Sequence, residues 1–243
     1  MNIREKIMLD RAGLEQHGAV TIVAFGDSVT HGAVADGEIN YETVYYNRLR
    51  QMINARRNYM PVNVINSAIG GTTAAASLAR MDRQVFDHHP DLVIVCFGLN
   101  DVNGSLETYL NALRTIFARC KEEEVEAIFL TPNMLNTYVA EDTAKVHWEY
   151  AHKTAEMQNS GRMDQYMSEA CALAREMEIT VCDCYSKWKA LAAAGKDTTM
   201  MLANRINHPT KEMHALFAES LYETIFGEAA PSCTKSESTM FRG

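Results

Sequence analysis

The chain has 243 residues, of which 47% are hydrophobic and 22% are charged, and its formal net charge is −8. This composition is typical of an ordinary globular protein, and we expect one large domain over residues 1–228. The negative charge argues against nucleic acid and anionic membranes as partners, and no apolar run reaches the ~18 residues of a membrane-spanning helix.

Helix-like and strand-like patterns alternate through the first half of the chain. In chain order, helices are predicted at 3–16, 41–57 and 73–81, and strands at 21–26, 62–68 and 91–98. The helical stretches carry apolar residues at three- and four-residue spacing. The clearest strand is DLVIVCFG at 91–98, because an unbroken apolar run suits a sheet that is covered on both faces.

The same alternation continues in the second half. Helices are predicted at 106–124, 161–177, 186–195 and 211–227, and strands at 125–132 and 179–185. Five strands separated by helices favour an α/β fold with a parallel sheet and helices on both faces. Residues 133–163 form a longer connection than such a fold requires. This segment is either an extra helix packed on the domain or a cover that shapes a pocket.

The termini and the cysteines favour a reduced, cytoplasmic protein. Residues 1–18 mix charged and apolar residues and lack the apolar core of an export signal. Cys182 and Cys184 would share one face of a strand, but a zinc site requires CxxC-type spacing and further ligands. We therefore expect reduced, mostly buried thiols and no metal at the six cysteines, which are Cys96, Cys120, Cys171, Cys182, Cys184 and Cys233. Residues 229–243 are predicted to form a disordered tail.

Clusters of small and polar residues follow three of the predicted strands. They are GDS after the first strand, IGGTT after the second and GLND after the third. In parallel sheets, active groups gather at the carboxyl ends of the strands. Ser28 in FGDSVTHG therefore stands on a sharp turn, where a nucleophile is expected. The alternative is that Ser28 only caps a helix, since serine is a common N-cap.

A nucleophilic serine needs a base, and histidine is the side chain that titrates near neutral pH. His208 in NRINHPT is the best candidate, because a loop before the last helix can fold back over the strand ends. His31 is too close along the chain to Ser28 to act as its base, and we expect it at the pocket rim. His214 lies inside the last predicted helix and is expected to be packed.

An oxyanion that develops on the substrate also needs hydrogen-bond donors. The ends of three predicted strands offer one donor each. They are the backbone N–H of Ser28, the backbone N–H of Gly71 in AIGGTT and the side-chain amide of Asn100 in GLND. Glycine allows close approach of the backbone to a substrate, and asparagine supplies an N–H without charge.

Taken together, GDSVTHG, INSAIGGTT, GLND and NHP resemble, in this order, the four sequence blocks of the SGNH (GDSL-type) hydrolases over residues 21–217. The resemblance implies a flavodoxin-like three-layer α/β/α fold with a parallel five-stranded sheet. It also implies hydrolysis of carboxylic esters or thioesters without a metal or other cofactor. The implied nucleophile is Ser28 and the implied general base is His208.

The resemblance assigns roles to further residues. Ser28, Gly71 and Asn100 are implied as the oxyanion donors. Asp27 and Asp101 are implied as supports that orient loops through hydrogen bonds to backbone amides.

One position departs from the family pattern. The family usually has an aspartate three residues before the histidine, and this chain has Arg205 there. One possibility is a Ser28–His208 dyad in which Asn204 or a backbone carbonyl orients the imidazole. The other is that an acid from elsewhere in the chain, such as Asp183, orients it. A misoriented imidazole costs ~10⁴ in rate in the Ser-His-Asp template.

These residues predict a carboxylic ester hydrolase that acts on short acyl esters. The expected substrate is a small molecule or an oligosaccharide, in particular a carbohydrate that carries O-acetyl groups. The aromatic rings in residues 133–163 suit the flat faces of sugars. A lysophospholipase or acyl thioesterase is the alternative enzyme, and a catalytically decayed binding module is the alternative without activity. A flavodoxin is disfavoured, because GDSVTHG poorly fits a phosphate-binding loop. The sequence leaves the oligomeric state open.

Overall fold

The chain folds around a five-stranded parallel sheet in the computed structural model, which describes residues 1–35 and 37–230. The strands are β1 (Val20–Gly26), β2 (Val62–Asn66), β3 (Leu92–Cys96), β4 (Glu126–Leu130) and β5 (Thr180–Cys182). Their spatial order is β2-β1-β3-β4-β5, and every neighbouring pair is parallel. This architecture confirms the predicted α/β fold and the predicted parallel sheet.

Helices connect the strands and cover the sheet. They are α1 (Ile3–Ile7), α2 (Arg11–His17), α3 (Ser28–His31), α4 (Tyr45–Arg56), α5 (Ala74–Ser77), α6 (Met81–Gln84), α7 (Leu106–Glu122), α8 (Trp148–Asn159), α9 (Arg162–Glu176), α10 (Cys184–Ala193) and α11 (His214–Phe226). Helix α4 packs on α11, and α7 packs on α9. The chain reverses direction across the sheet after β2, so right-handed crossovers place α4 and α7 on opposite faces.

The core lies on both faces of the central strands. All five residues of β3 are buried, as the continuous apolar run predicts. The rings of Phe25 and Phe97 meet edge to face with centroids 5.2 Å apart, an arrangement that aromatic pairs prefer. Strands β1 and β3 are neighbours at the point where the strand order reverses, which is where ligands bind in open α/β sheets.

Several predicted helix boundaries are wrong, for local reasons. The helix expected at 3–16 is two helices, because the Asp10 side chain accepts a hydrogen bond from Gly13 N (3.0 Å) and starts α2. The helix expected at 73–81 is interrupted by a 3₁₀ turn at Leu78–Arg80. The helix expected at 41–57 begins only at Tyr45.

The fifth strand is shorter than predicted. The strand expected at 179–185 ends at Cys182, because Asp183 caps α10 and Cys184 is the first residue of that helix. The two cysteines therefore do not share a strand face. The five described cysteines are buried and form no disulfide, while Cys233 lies outside the described residues. So do residues 231–243, most of the predicted tail. Within the described part of the chain, no helix is both long enough and apolar enough to cross a bilayer.

Candidate active site

Ser28 lies on a tight turn between β1 and α3. Asp27 caps this short helix, and its Oδ1 accepts a hydrogen bond from Val29 N at 3.1 Å. Gly26 makes the turn possible, because a Cβ at this position would lie 2.6 Å from the carbonyl oxygen of Cys96. The run Gly-Asp-Ser therefore ends the strand, caps the helix and places the serine hydroxyl at the carboxyl edge of the sheet.

His208 is hydrogen-bonded to Ser28. Its Nε2 lies 3.0 Å from Ser28 Oγ, and its Nδ1 lies 2.9 Å from the carbonyl oxygen of Val34. A carbonyl oxygen only accepts hydrogen bonds, so Nδ1 carries the proton and the Nε2 lone pair faces the serine hydroxyl. This tautomer is the one that a general base requires.

The surroundings of His208 keep its ring neutral. Burial lowers the pKa of His208 below its ordinary value, and the hydrogen bond to Val34 only partly opposes this effect. Removing the imidazole from water disfavours its charged form. The ring is therefore unprotonated at neutral pH and able to accept a proton.

The candidate orienting groups, Asn204 and Asp183, bind other parts of the structure. Asn204 Oδ1 accepts hydrogen bonds from the backbone N–H groups of Ile206, Asn207 and His208 at 3.0–3.1 Å. It fixes the loop and not the imidazole ring. Asp183 as the orienting acid is wrong, since its carboxylate binds Thr131 Oγ1 and caps α10. The backbone carbonyl of Val34 occupies the orienting position.

Arg205 stands where the family pattern has an aspartate, and its side chain is engaged elsewhere. Its Nη2 forms an ion pair with Asp142 at 2.9 Å, and its Nη1 donates to the carbonyl oxygens of Met200 and Leu202. Arg205 has a left-handed backbone with φ of 59°, which costs energy for a side chain other than glycine. The pair joins the His208 loop to the segment 133–163.

The three predicted oxyanion donors come from neighbouring strand ends and line one cavity with His208. Ser28 is the first residue of its helix, so its N–H has no partner within the helix. Gly71 has φ of 76°, and a Cβ there would meet no atom within 4 Å. Asn100 Nδ2 donates one hydrogen bond to Thr72 O at 3.0 Å, which leaves its second amide hydrogen for a ligand.

Comparison of the sequence with known protein families assigns the chain to one of them. A sequence model of the GDSL-like lipase/acylhydrolase family matches residues 24–216. The chain belongs to this family. The predicted class of enzyme, a carboxylic ester hydrolase of the GDSL type, is confirmed at the level of the family.

Two solved esterase structures share the fold. Axe2, an acetylxylan esterase from Geobacillus stearothermophilus, is 21% identical and superposes with a TM-score of 0.68 over 88% of this chain and 97% of its own. The acetyl xylan esterase AlAXEase is 16% identical, with a TM-score of 0.68 over 85% of this chain and 100% of its own. At these identities the likeness establishes the fold alone.

One curated protein shares part of the sequence. The uncharacterized lipoprotein YqeF of Bacillus subtilis (strain 168) is 33% identical over 92 residues, which is 37% of this chain. The matched stretch spans about a third (35%) of that protein.

Two buried carboxyls bind backbone amides close to the GDSL-family site. Asp27 Oδ1 accepts from Val29 N, and Asp101 Oδ1 accepts from Ala74 N at 2.9 Å. The Oδ2 atoms of both aspartates have no hydrogen-bond partner among the described residues. Burial raises the pKa of Asp27 to about 7, with a further contribution from the nearby Asp101, and burial raises the pKa of Asp101 to about 6. Both groups hold backbone amides of loops at the strand ends.

The segment 133–163 forms one wall of the cavity. The cavity has a volume of about 660 Å³, and Asp142, His147 and Tyr150 contribute to its lining. Helix α8 belongs to this segment and packs on α9. The two interpretations of the segment therefore both hold, since one part of it packs on the domain and another part shapes the pocket. His31 lies at the rim of the same cavity.

Two features of the site escape sequence reasoning. The orienting group is the main-chain carbonyl of Val34, and any residue type at this position offers the same atom. The ion pair between Arg205 and Asp142 joins residues 63 positions apart, and no sequence motif links the two. The one sequence signal of a different orienting group is Arg205, which stands where the family pattern has an aspartate.

Proposed function

We propose that this protein is a serine esterase that removes short acyl groups, in particular O-acetyl groups from carbohydrates, with a Ser28–His208 dyad. The observation that carries the proposal is the continuous hydrogen-bonded series from Ser28 Oγ through the imidazole of His208 to the Val34 carbonyl. It supplies a nucleophile, a neutral base and a group that fixes the tautomer.

The first half of the reaction transfers the acyl group to the enzyme. Ser28 Oγ attacks the ester carbonyl carbon while His208 Nε2 accepts the hydroxyl proton. The oxyanion accepts hydrogen bonds from the N–H groups of Ser28 and Gly71 and from Asn100 Nδ2. His208 then gives the proton to the leaving alcohol oxygen, the ester C–O bond breaks, and an acyl-serine remains.

The second half returns the enzyme to its starting state. A water molecule takes the place of the alcohol, and His208 Nε2 accepts its proton as the water oxygen attacks the acyl carbon. Collapse of the second tetrahedral intermediate breaks the bond to Ser28 Oγ, which regains a proton from His208. The imidazolium that forms in each half is stabilised by the Val34 carbonyl, which accepts from Nδ1 throughout.

Two observations favour carbohydrate acetates over lipids as substrates. The structural neighbours Axe2 and AlAXEase are described as acetyl xylan esterases. The cavity wall contributed by residues 133–163 includes the polar side chains of Asp142, His147 and Tyr150, and a long acyl chain that ran along this wall would bury these polar groups.

The proposal is tested by the release of acetate from acetylated xylo-oligosaccharides, beside a series of 4-nitrophenyl esters from acetate to decanoate. We expect acetate release that depends on Ser28, and kcat/KM values that fall as the acyl chain grows. A maximum at long chains would replace the proposal with a lipid or thioester substrate. A lack of turnover on every ester would leave a binding module.

Within residues 1–35 and 37–230, no carboxylate contacts the imidazole of His208, and this arrangement predicts an unusual pH profile. The base must be neutral, so kcat/KM falls as the pH drops through the pKa of His208. Because burial lowers this pKa, we expect half-maximal kcat/KM below pH 6.5.

The profile should be measured in the Asp27→Asn/Asp101→Asn double variant as well. These changes remove the two buried carboxyls of the site, whose pKa values are about 7 and about 6, so the remaining acid limb reports His208. An acid limb above pH 7 in both proteins would indicate that a carboxylate pairs with the imidazole, and it would contradict the proposed dyad.

A further inference from the structure

A second hollow lies beside the active-site cavity, on the far side of His31. It has a volume of about 330 Å³. Its lining residues are Tyr41, Glu42, Tyr46, Asn47, Arg50, Val64 and Asn66. None of these residues takes part in the chemistry described above. We propose that this hollow is a binding subsite for uncharged sugar units that neighbour the acylated unit of an oligosaccharide substrate.

The hollow is connected to the catalytic centre through side chains in contact. A Cβ on Gly70 would lie 3.7 Å from both Ser28 Cβ and His31 Nδ1, so Ser28 and the His31 ring flank the same position in the lining of the active-site cavity. The Tyr41 hydroxyl lies 3.5 Å from His31 Nε2, with ring centroids 6.1 Å apart. His31 lines the first cavity and Tyr41 lines the second. A chain of linked sugars that leaves the first cavity on this side passes over these two rings.

The turn that carries Tyr41 is fixed in place before any ligand binds. Asn40 N donates to Gly32 O at 2.8 Å, which ties the turn to the end of the catalytic helix. Asn40 Oδ1 accepts from both Thr43 N and Thr43 Oγ1, and Arg48 Nε donates to Thr43 O at 2.7 Å. A preorganised site loses less conformational freedom when a ligand binds.

The surface of Tyr41 is available for stacking. Tyr41 is 56% exposed, although burial of an aromatic ring of this size is favourable. Its one hydrogen bond within the described residues is the long contact to His31. An aromatic ring presents a flat apolar face and a polar tip, and this combination suits a sugar ring with its apolar face and its hydroxyl groups.

The polar groups of the hollow match a neutral polyhydroxyl ligand. Arg50 Nε donates to Asn47 Oδ1 at 3.1 Å, and its Nη groups form no hydrogen bond with another described residue. The Glu42 carboxylate likewise has no ion pair or hydrogen bond within residues 1–35 and 37–230. One guanidinium and one carboxylate balance in charge, so the hollow offers donors and acceptors without selecting an anion or a cation.

The inference rests on the proposed carbohydrate substrate, and the experiment separates the two. We would measure kcat/KM of the wild type and of Tyr41→Ala on acetylated xylo-oligosaccharides of one to five units and on 4-nitrophenyl acetate. Binding of unacetylated xylotetraose would be measured by calorimetry. Tyr59→Ala is the matched control, because Tyr59 is also exposed (46%) and lines neither cavity. Tyr41→Phe keeps the flat ring and removes the contact to His31.

We expect the wild-type kcat/KM to rise with oligosaccharide length. In Tyr41→Ala, the ratio of kcat/KM for the tetramer to that for 4-nitrophenyl acetate should fall ~10-fold, mainly through KM, as the loss of one aromatic contact predicts. Binding of xylotetraose should weaken by a similar factor. Tyr41→Phe should retain most of both values, and Tyr59→Ala should match the wild type.

Other outcomes overturn one proposal or the other. If acetate is released but length has no effect, or if Tyr41→Ala behaves like Tyr59→Ala, the subsite is wrong and the proposed function stands. If only 4-nitrophenyl acetate is hydrolysed, the carbohydrate function is wrong. The subsite is then decided by xylotetraose, since binding that is lost in Tyr41→Ala supports it and the absence of binding to the wild type contradicts it.

Discussion

Replacement of Ser28 by alanine is expected to lower kcat/KM for 4-nitrophenyl acetate by about 10⁴–10⁶-fold, as the loss of a serine nucleophile does in the triad enzymes. Among the described residues, the hydroxyl is the one hydrogen-bond partner of His208 Nε2, at 3.0 Å. His208→Ala should cost nearly as much, because the serine then has no base. The double variant should be no worse than the single variants, since the two side chains act as one unit.

The fold must survive these changes for the result to be informative. Ser28 is the first residue of α3 and does not cap it, since Asp27 does, so alanine is tolerated in the helix. Ser168→Ala, an exposed change on α9, provides the control and should leave kcat/KM within twofold of the wild type. Turnover by Ser28→Ala at more than a hundredth of the wild-type value, with an unchanged circular dichroism spectrum, would contradict the assignment of the nucleophile.

The strands of the sheet were predictable because apolar runs reflect burial. β3 is buried along its whole length, and the sequence there is continuously apolar. Helix boundaries were less predictable, because single polar side chains decide them. Asp10 starts a second helix inside one continuous amphipathic pattern, and Asp183 ends β5 by capping α10. Periodicity alone does not distinguish such a cap from a polar residue on a helix surface.

The interruption at Leu78–Arg80 has a tertiary origin. Arg80 donates hydrogen bonds to the carbonyl oxygens of Gly26, the last residue of β1, and Ser67, the residue after β2. Its guanidinium also lies over the Phe25 ring, 4.6 Å from the centroid. These contacts join segments far apart in the chain, so the local pattern in residues 73–81 does not predict them.

The location of the candidate site was predictable for those proposed roles that require a particular side chain or a glycine. Ser28, Gly71, Asn100 and His208 all line one cavity, as the order of their motifs along the chain led us to expect. The orienting group was not predictable, because it is the main chain of Val34. Arg205 stands in place of the expected carboxylate. Asp183 has the chemistry of an orienting acid, but it binds Thr131 and does not contact the His208 ring.

Replacement of Asn100 by alanine is expected to lower kcat by about 10²–10³-fold with little change in KM, because an oxyanion donor acts mainly in the transition state. Asn100 also donates to Thr72 O, next to Gly71, so the change removes one support of the second donor. Steady-state kinetics on 4-nitrophenyl acetate measure the effect, and urea unfolding measures the stability of the variant.

Asn111→Ala is the matched control for the Asn100 variant. Asn111 is an exposed asparagine on α7, and its side chain forms no hydrogen bond within the described residues. This variant should retain kcat within about twofold, as changes at exposed sites usually do. A loss of kcat in Asn100→Ala no greater than in Asn111→Ala would remove Asn100 from the oxyanion hole. A rise in KM with unchanged kcat would instead assign it to binding of the ground state, because the amide would then hold substrate and transition state equally.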